Sequence, residues 1–312
     1  MFQFFRKQRG SELAAARLEE TTPAIESDGL VTPQHPKLLV WRATIDEIHR
    51  GFARRVEQAR VDAAKVIATA QVDSSEHEVL WDKVDGELSR AQRQLYNAWN
   101  RMHSALWGSD AVDEETLTRE ERRLDEEGCE LELLFEAGRR ESRADAARSI
   151  RAFAMRYDAR MRSCEGCGAH LGAPLIVQAQ VITCRGCGTR QNVEPGIAFH
   201  VFASSGARWL GEWYAFPDYQ LMKREEVRIG GFRKKDDVPL AMLQAYHDAA
   251  LDYWSTALGI EVNLVPYLDP HLERMIDARM KEARKLLRSH WQWRGYEKAT
   301  APDDARQPPI RR

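Results

Sequence analysis

The chain has 312 residues, which at roughly 150 residues per domain argues for about two domains. Its 46 Lys and Arg against 48 Asp and Glu leave a net charge of −2, excluding a polycationic nucleic-acid coat and an acidic disordered tail protein. No apolar run approaches the ~18 residues that span a bilayer, and five cysteines are too few for a disulfide-dense secreted scaffold, so the expectation is a soluble, cytoplasmic protein.

Residues 1–37 read as a leader and linker. Met1-Phe2-Gln3-Phe4-Phe5 precedes Arg6, Lys7 and Arg9, whereas a secretory signal places its basic residues first and follows them with ~7–15 apolar ones. A frayed terminus is the plainer reading. A short docking peptide, for a partner groove or peripheral contact with a membrane surface, is the other. Pro23, Ser27, Gly29, Pro33 and Pro36 mark the linker.

From Trp41 the apolar spacing becomes regular. Trp41, Ile45, Ile48, Phe52, Val56, Ala59, Ala63, Val66 and Ala70 step by three and four, one stripe of a long helix. After Asp73-Ser74-Ser75, where Ser75 and Glu78 have capping-box spacing, a second stripe runs Trp81, Val84, Leu88, Ala91, Leu95, Ala98, Met102 and Ala105. The short connection implies an antiparallel hairpin, which Gly108-Ser109-Asp110 ends. A third helix is expected over 114–161, carrying Leu117, Leu124, Leu131, Leu134 and Phe135, then Ala147, Ile150, Ala154, Tyr157 and Met161. Gly128 and Gly138 should weaken it by ~1 kcal/mol each. Residues 38–162 are thus expected to form an elongated three-helix coiled-coil stalk, separable from the rest. Residues 110–136 carry twelve acids and three arginines, net −9, and residues 139–162 carry eight arginines and three acids, net +5. Such faces set pairing register and are suited to self-association of the stalk. An arginine face for nucleic acid is the rival reading.

The sharpest signal follows. Cys164-Glu165-Gly166-Cys167-Gly168 and Cys184-Arg185-Gly186-Cys187-Gly188 are separated by sixteen residues, within the C-x2-C-x15–20-C-x2-C spacing of a zinc site. Two residues between cysteines let one tight turn aim both thiolates at one cation, and a glycine after each pair can adopt the positive φ such turns favour. Four thiolates at Cys164, Cys167, Cys184 and Cys187 would close a tetrahedral shell, predicting one structural Zn2+ per chain. A redox dithiol would need only one pair, and a catalytic zinc keeps a coordination position open. His170 is nearby but would be a surplus ligand, and Cys129 stands alone on the third helix as a small buried residue. Pro174-Leu175-Ile176-Val177 and Val181-Ile182-Thr183 suit the strands of a hairpin.

The paired C-x-x-C-G knuckles resemble the zinc-ribbon module over residues 163–194, and a helical hairpin leading into a ribbon is similar in outline to the coiled-coil zinc-ribbon proteins of bacteria. That resemblance implies a zinc-stabilised module used for protein docking, nucleic-acid binding or structural support.

Beyond Gly196, Phe199, Phe202, Trp209, Trp213, Tyr214, Phe216 and Tyr219 crowd together, and the alternation in residues 197–202 fits a strand. A basic stretch from Lys223 to Lys235 with a turn at Gly230-Gly231 follows, then a short helix from Leu240 to Trp254. Asp269-Pro270 marks the start of another helix, with Arg274, Arg279, Lys281, Arg284, Lys285 and Arg288 on its polar face. Trp291-Gln292-Trp293-Arg294 packs back or engages a partner, and residues 297–312 form a tail. The fold class expected is mainly α, with an aromatic-rich α+β domain over 195–296. No Walker A loop, GxGxxG, GxSxG or HExxH occurs, and His77-Glu78 and Tyr246-His247-Asp248 read as ordinary surface groups. No catalytic residue is assigned. The expectation is a non-enzymatic zinc-binding scaffold or adaptor for a protein partner; a nucleic-acid-associated regulator is the alternative.

Overall fold

Three long helices form the first half of the molecule. A computed structural model describes residues 35–69, 75–108, 112–161, 163–171, 179–232 and 237–300. The leader, the expected strand at 174–177 and the tail beyond 300 lie outside these, as do the side chains of Ser75, Tyr157 and Met161. Helix α1 (Pro36–Thr69) opens with proline at its first position, where the missing N–H costs nothing. His35 Nδ1 accepts from the Lys37 amide at 3.2 Å. Helix α2 is Ser75–Leu106 and α3 is Glu114–Met161. The Asp113 carboxylate accepts from the Thr116 amide at 2.6 Å and caps α3, which holds that carboxyl below its ordinary range.

The expected stripes are the contacts. Trp41, Ile45, Phe52, Val56, Trp81, Leu88, Leu95, Leu131 and Phe135 are buried in one cluster drawn from all three helices. Two stripe positions shift: Ile67 rather than Val66, and Leu106 rather than Ala105, are the buried residues. The Lys37 ammonium donates to the Ala105 carbonyl, so α1 and α2 run antiparallel. Arg42 pairs with Glu120, His49 with Glu127 and Arg60 with Glu141, so α1 and α3 run parallel. Part of the acidic run is thus matched by bases on other helices. Glu130 and Glu132 pair with Arg224 and Lys223. Glu78, expected in a capping box, takes Arg143 at 2.6 Å and Arg139 at 3.5 Å. Burial opposes its ionisation, but the Arg143 hydrogen bonds prevail and its carboxyl sits below the usual range.

The α+β expectation for 195–296 is overturned: among the described residues this region is helical. Residues 197–202, expected as a strand, open a continuous helical run. Helix α4 (Ile197–Val201) passes through a π-helical turn (Phe202–Gly206) into α5 (Ala207–Tyr214). The alternation was too short to distinguish periods. Ala198, Phe199, Phe202, Ala203, Ala207 and Leu210 are buried at helical spacing, while Ile197 is 75% exposed. They pack on Ala144, Ala147, Ile150 and Ala154, a small-residue face of α3. The first part of the basic stretch is helix, with Lys223, Arg224 and Arg228 on α6 (Phe216–Gly230), which ends at the expected Gly230-Gly231 turn; residues 233–235 lie outside the described ones. Helix α7 spans Leu240–Leu264, beyond the expected end at Trp254. Asp269-Pro270 lies in a 3-10 turn (Pro266–His271), one turn before α8 (Leu272–Arg288). Helix α9 (Trp291–Thr300) returns Trp293 to the α7–α8 core, where Tyr246, Met280 and Leu287 are also buried. No helix of the described residues is long and apolar enough to cross a membrane.

Helix α3 therefore serves two cores, one on each half of its length. An isolated fragment of residues 36–161 should keep protected amides around Leu131 and lose them over 144–154, as hydrogen exchange would read. Full protection over 144–154 in the fragment would contradict this.

Its two glycines differ in kind. A Cβ on Gly138 would stand 2.5 Å from the buried Trp81 ring and 2.8 Å from Val56 Cγ1, whereas one on Gly128 meets nothing within 4 Å. Gly138 is a close-approach residue, not merely a weak point in the helix. Gly138→Ala should destabilise the protein by about 1–3 kcal/mol, and Gly128→Ala should stabilise it by up to ~1 kcal/mol. Chemical denaturation of the two variants checks the opposite signs.

Candidate metal centre

Two knuckles of the same construction present the four cysteines. In the first, the Gly168 amide donates to the Cys164 carbonyl at 2.7 Å, and the Cys164 amide to the Ala169 carbonyl at 2.8 Å. In the second, Gly188 donates to Cys184 and Cys184 to Thr189, both at 2.9 Å. Gly168 and Gly188 have φ of 72° and 75°, the left-handed geometry that a side chain would strain. The second knuckle sits between strands β1 (Gln180–Thr183) and β2 (Arg190–Val193), antiparallel with Thr183 opposite Arg190. A short antiparallel bridge from Ser163 to His170 closes the first.

The turns bring Cys164, Cys167, Cys184 and Cys187 together, their sulfurs all within 4.8 Å of one another. Cys164 Sγ lies 3.4 Å from Cys187 Sγ, and Cys167 Sγ 3.7 Å from Cys184 Sγ. Metal–sulfur bonds of about 2.3 Å in a tetrahedron place sulfurs about 3.8 Å apart. The cluster thus has the dimensions of a four-sulfur cage, and the thiols are free rather than disulfide-bonded. Cys164 and Cys184 are buried, and Cys167 and Cys187 face solvent.

Hydrogen bonds prepare the thiolates. The Gly186 amide donates to Cys184 Sγ at 3.3 Å. Backbone amides of Cys187 and Gly186 hold the Cys184 thiol below its ordinary range. Thr189, through its hydroxyl at 3.2 Å and its backbone, brings Cys187 down to about 6. Cys167 receives help from the Ala169 backbone but is pushed up to about 12 by the neighbouring cysteines. Four ionised sulfurs at this spacing repel one another, and a cation among them relieves that repulsion.

The cysteine spacing located the site. His170 is exposed and outside the cluster. Cys129 is buried on α3, its thiol raised to about 11 by burial, and takes no part. What the spacing did not reveal is Thr189, which spacing rules for ligands do not mention. Comparison with known proteins finds no matching family model, curated protein or solved structure.

Metal should leave as pH falls, because protons compete for thiolates. Removing the Thr189 hydroxyl lets the Cys187 thiol rise toward its ordinary value. Thr189→Val should therefore release metal at a higher pH than wild type, as a chromogenic chelator would report across an acid titration. An unshifted midpoint would show that the hydroxyl does not support the ligand.

Proposed function

We propose that this protein is a zinc-dependent, non-enzymatic scaffold or adaptor of the cytoplasm that joins protein partners. The observation that carries this reading is the four-cysteine cluster. Zinc is favoured among metals because soft thiolates in a tetrahedral array suit it, and such a shell leaves no position for substrate or water. A metal so enclosed supplies folding free energy rather than chemistry. Around it stand exposed side chains, among them Glu165, Arg185 and Val181. We read the ribbon as a zinc ribbon presented for docking at the end of a coiled-coil-like stalk.

The nucleic-acid alternative loses part of its basis in the arginines of α3. Arg139 and Arg143 face Glu78, Arg140 faces Glu136, and Arg148 faces Asp145. On α8, Arg284 and Arg288 are paired with Asp277 and Glu297.

Purified protein should carry one zinc per chain by elemental analysis. Replacing Cys164 or Cys184 with serine should abolish tight retention and leave the helical circular dichroism largely intact. Pull-downs with and without nuclease should recover the same partners, lost in the Cys184→Ser variant. Partners that vanish with nuclease would instead favour the regulator reading. Iron in place of zinc would overturn the metal assignment.

A further inference from the structure

A groove of about 600 Å³ runs between α1 and α2, lined by those two helices alone. Its walls extend from Thr44 to Arg55 and from Glu87 to Arg101, about 17 and 21 Å of helix at 1.5 Å per residue. The floor is apolar, made by the half-buried Ile48 and the buried Phe52 and Ala91. At its middle Gly51 leaves open space, with no atom within 4 Å of where a Cβ would stand.

The rim is basic at both ends. Arg54 and Arg55 stand at one end and Arg101 at the other, all exposed. Among the described residues none of the three has a carboxylate partner. Arg90, also on the rim, is held by Glu87 at 2.7 Å. This contrasts with α3, whose arginines are mostly matched to acids. An apolar floor between uncompensated arginines suits an acidic segment with small apolar residues.

The chain contains such a segment. Residues 11–28 hold Glu12, Glu19, Glu20, Glu26 and Asp28 against the single base Arg17, with Leu13, Ala14, Ala15, Ala16 and Leu18 between them. Residues 29–35 then lead to Pro36, the start of α1. Those seven residues reach up to about 23 Å, and the near end of the groove at Thr44 lies only about 12 Å along α1 from Pro36. A segment entering from that end would bring Glu26 and Asp28 toward Arg101, and Glu19 and Glu20 toward Arg54 and Arg55.

We propose that residues 11–28 dock, within their own chain, in the arginine-rimmed groove between α1 and α2. The tether makes the segment a resident competitor at millimolar effective concentration. A second acidic ligand, such as the same segment added as a free peptide, would compete with it for the groove.

The test uses the full chain and a fluorescent peptide of residues 11–30 added in trans. A tail variant, Glu12→Lys with Glu19→Lys, Glu20→Lys and Glu26→Lys, empties the groove of its own segment. It should bind the peptide about tenfold more tightly than wild type. Adding Arg54→Glu, Arg55→Glu and Arg101→Glu to that tail variant should abolish peptide binding. These three side chains are exposed, so unchanged circular dichroism should confirm an intact fold. Equal peptide binding by wild type and tail variant would overturn the proposal, as would peptide binding that survives loss of the three arginines. A doubled mass in sedimentation that the tail reversal removes would assign the groove to the segment of a second copy. Retention of a labelled DNA duplex at physiological salt, lost with the three arginines, would assign it to nucleic acid. Either result also overturns docking within the chain.

Discussion

The guanidinium of Arg140 is the constraint on which the arrangement of the two helical halves depends. It is buried in the middle of α3, donating to Glu136 at 2.8 Å, to the Tyr253 hydroxyl at 2.8 Å and to the Glu212 carbonyl at 3.3 Å. Its Cζ lies 4.0 Å from the centroid of the Tyr219 ring and within 6 Å of those of Phe216 and Tyr253. One side chain of α3 thereby fixes α5, α6 and α7. A buried cation is tolerated only when its donors are matched, and the requirement is directional in a way that apolar packing is not. A helix shifted by one turn could still bury its leucines, but it could not satisfy this fork.

The ribbon is stabilised on the opposite principle. Its buried cluster amounts to Cys164, Leu171 and Cys184, with Ile182 and Val193 partly covered. So small an apolar core cannot offset the entropy of ordering its chain. The four cysteines lie where a cation could order the two knuckles, with Thr189 and Gly186 hydrogen-bonded to two of the sulfurs. The helical halves need no such aid, since each has a cluster of large buried side chains around α3.

Much of this could be read from the sequence where a single physical rule acted over many residues. The long stripes of α1, α2 and α3 repeat often enough for the helical period to be unambiguous. The knuckle spacing is stringent because a tetrahedral cage admits few backbone paths. Residues 197–202 failed for the converse reason: six residues cannot separate a period of two from one of 3.6, and the partner face on α3 decided the matter. The role of Lys223 and Arg224 was hidden because their acids, Glu132 and Glu130, lie about ninety residues earlier on another helix. The role of Arg140 was likewise hidden, since Tyr253 and Glu212 are remote in sequence.

The path of the chain at the ribbon has a consequence for how such a molecule could arise and change. The chain leaves α3 after Met161 and comes back at Ile197, and α4 then packs against the same helix at Ile150 and Ala154. The four-cysteine stretch is a detour from α3 to a helix that packs back on α3. A detour of that kind can be lengthened, exchanged for another module or excised to a short connection without rerouting any helix. The helical body thus supplies a fixed mount, and the four-cysteine stretch can diverge on its own schedule.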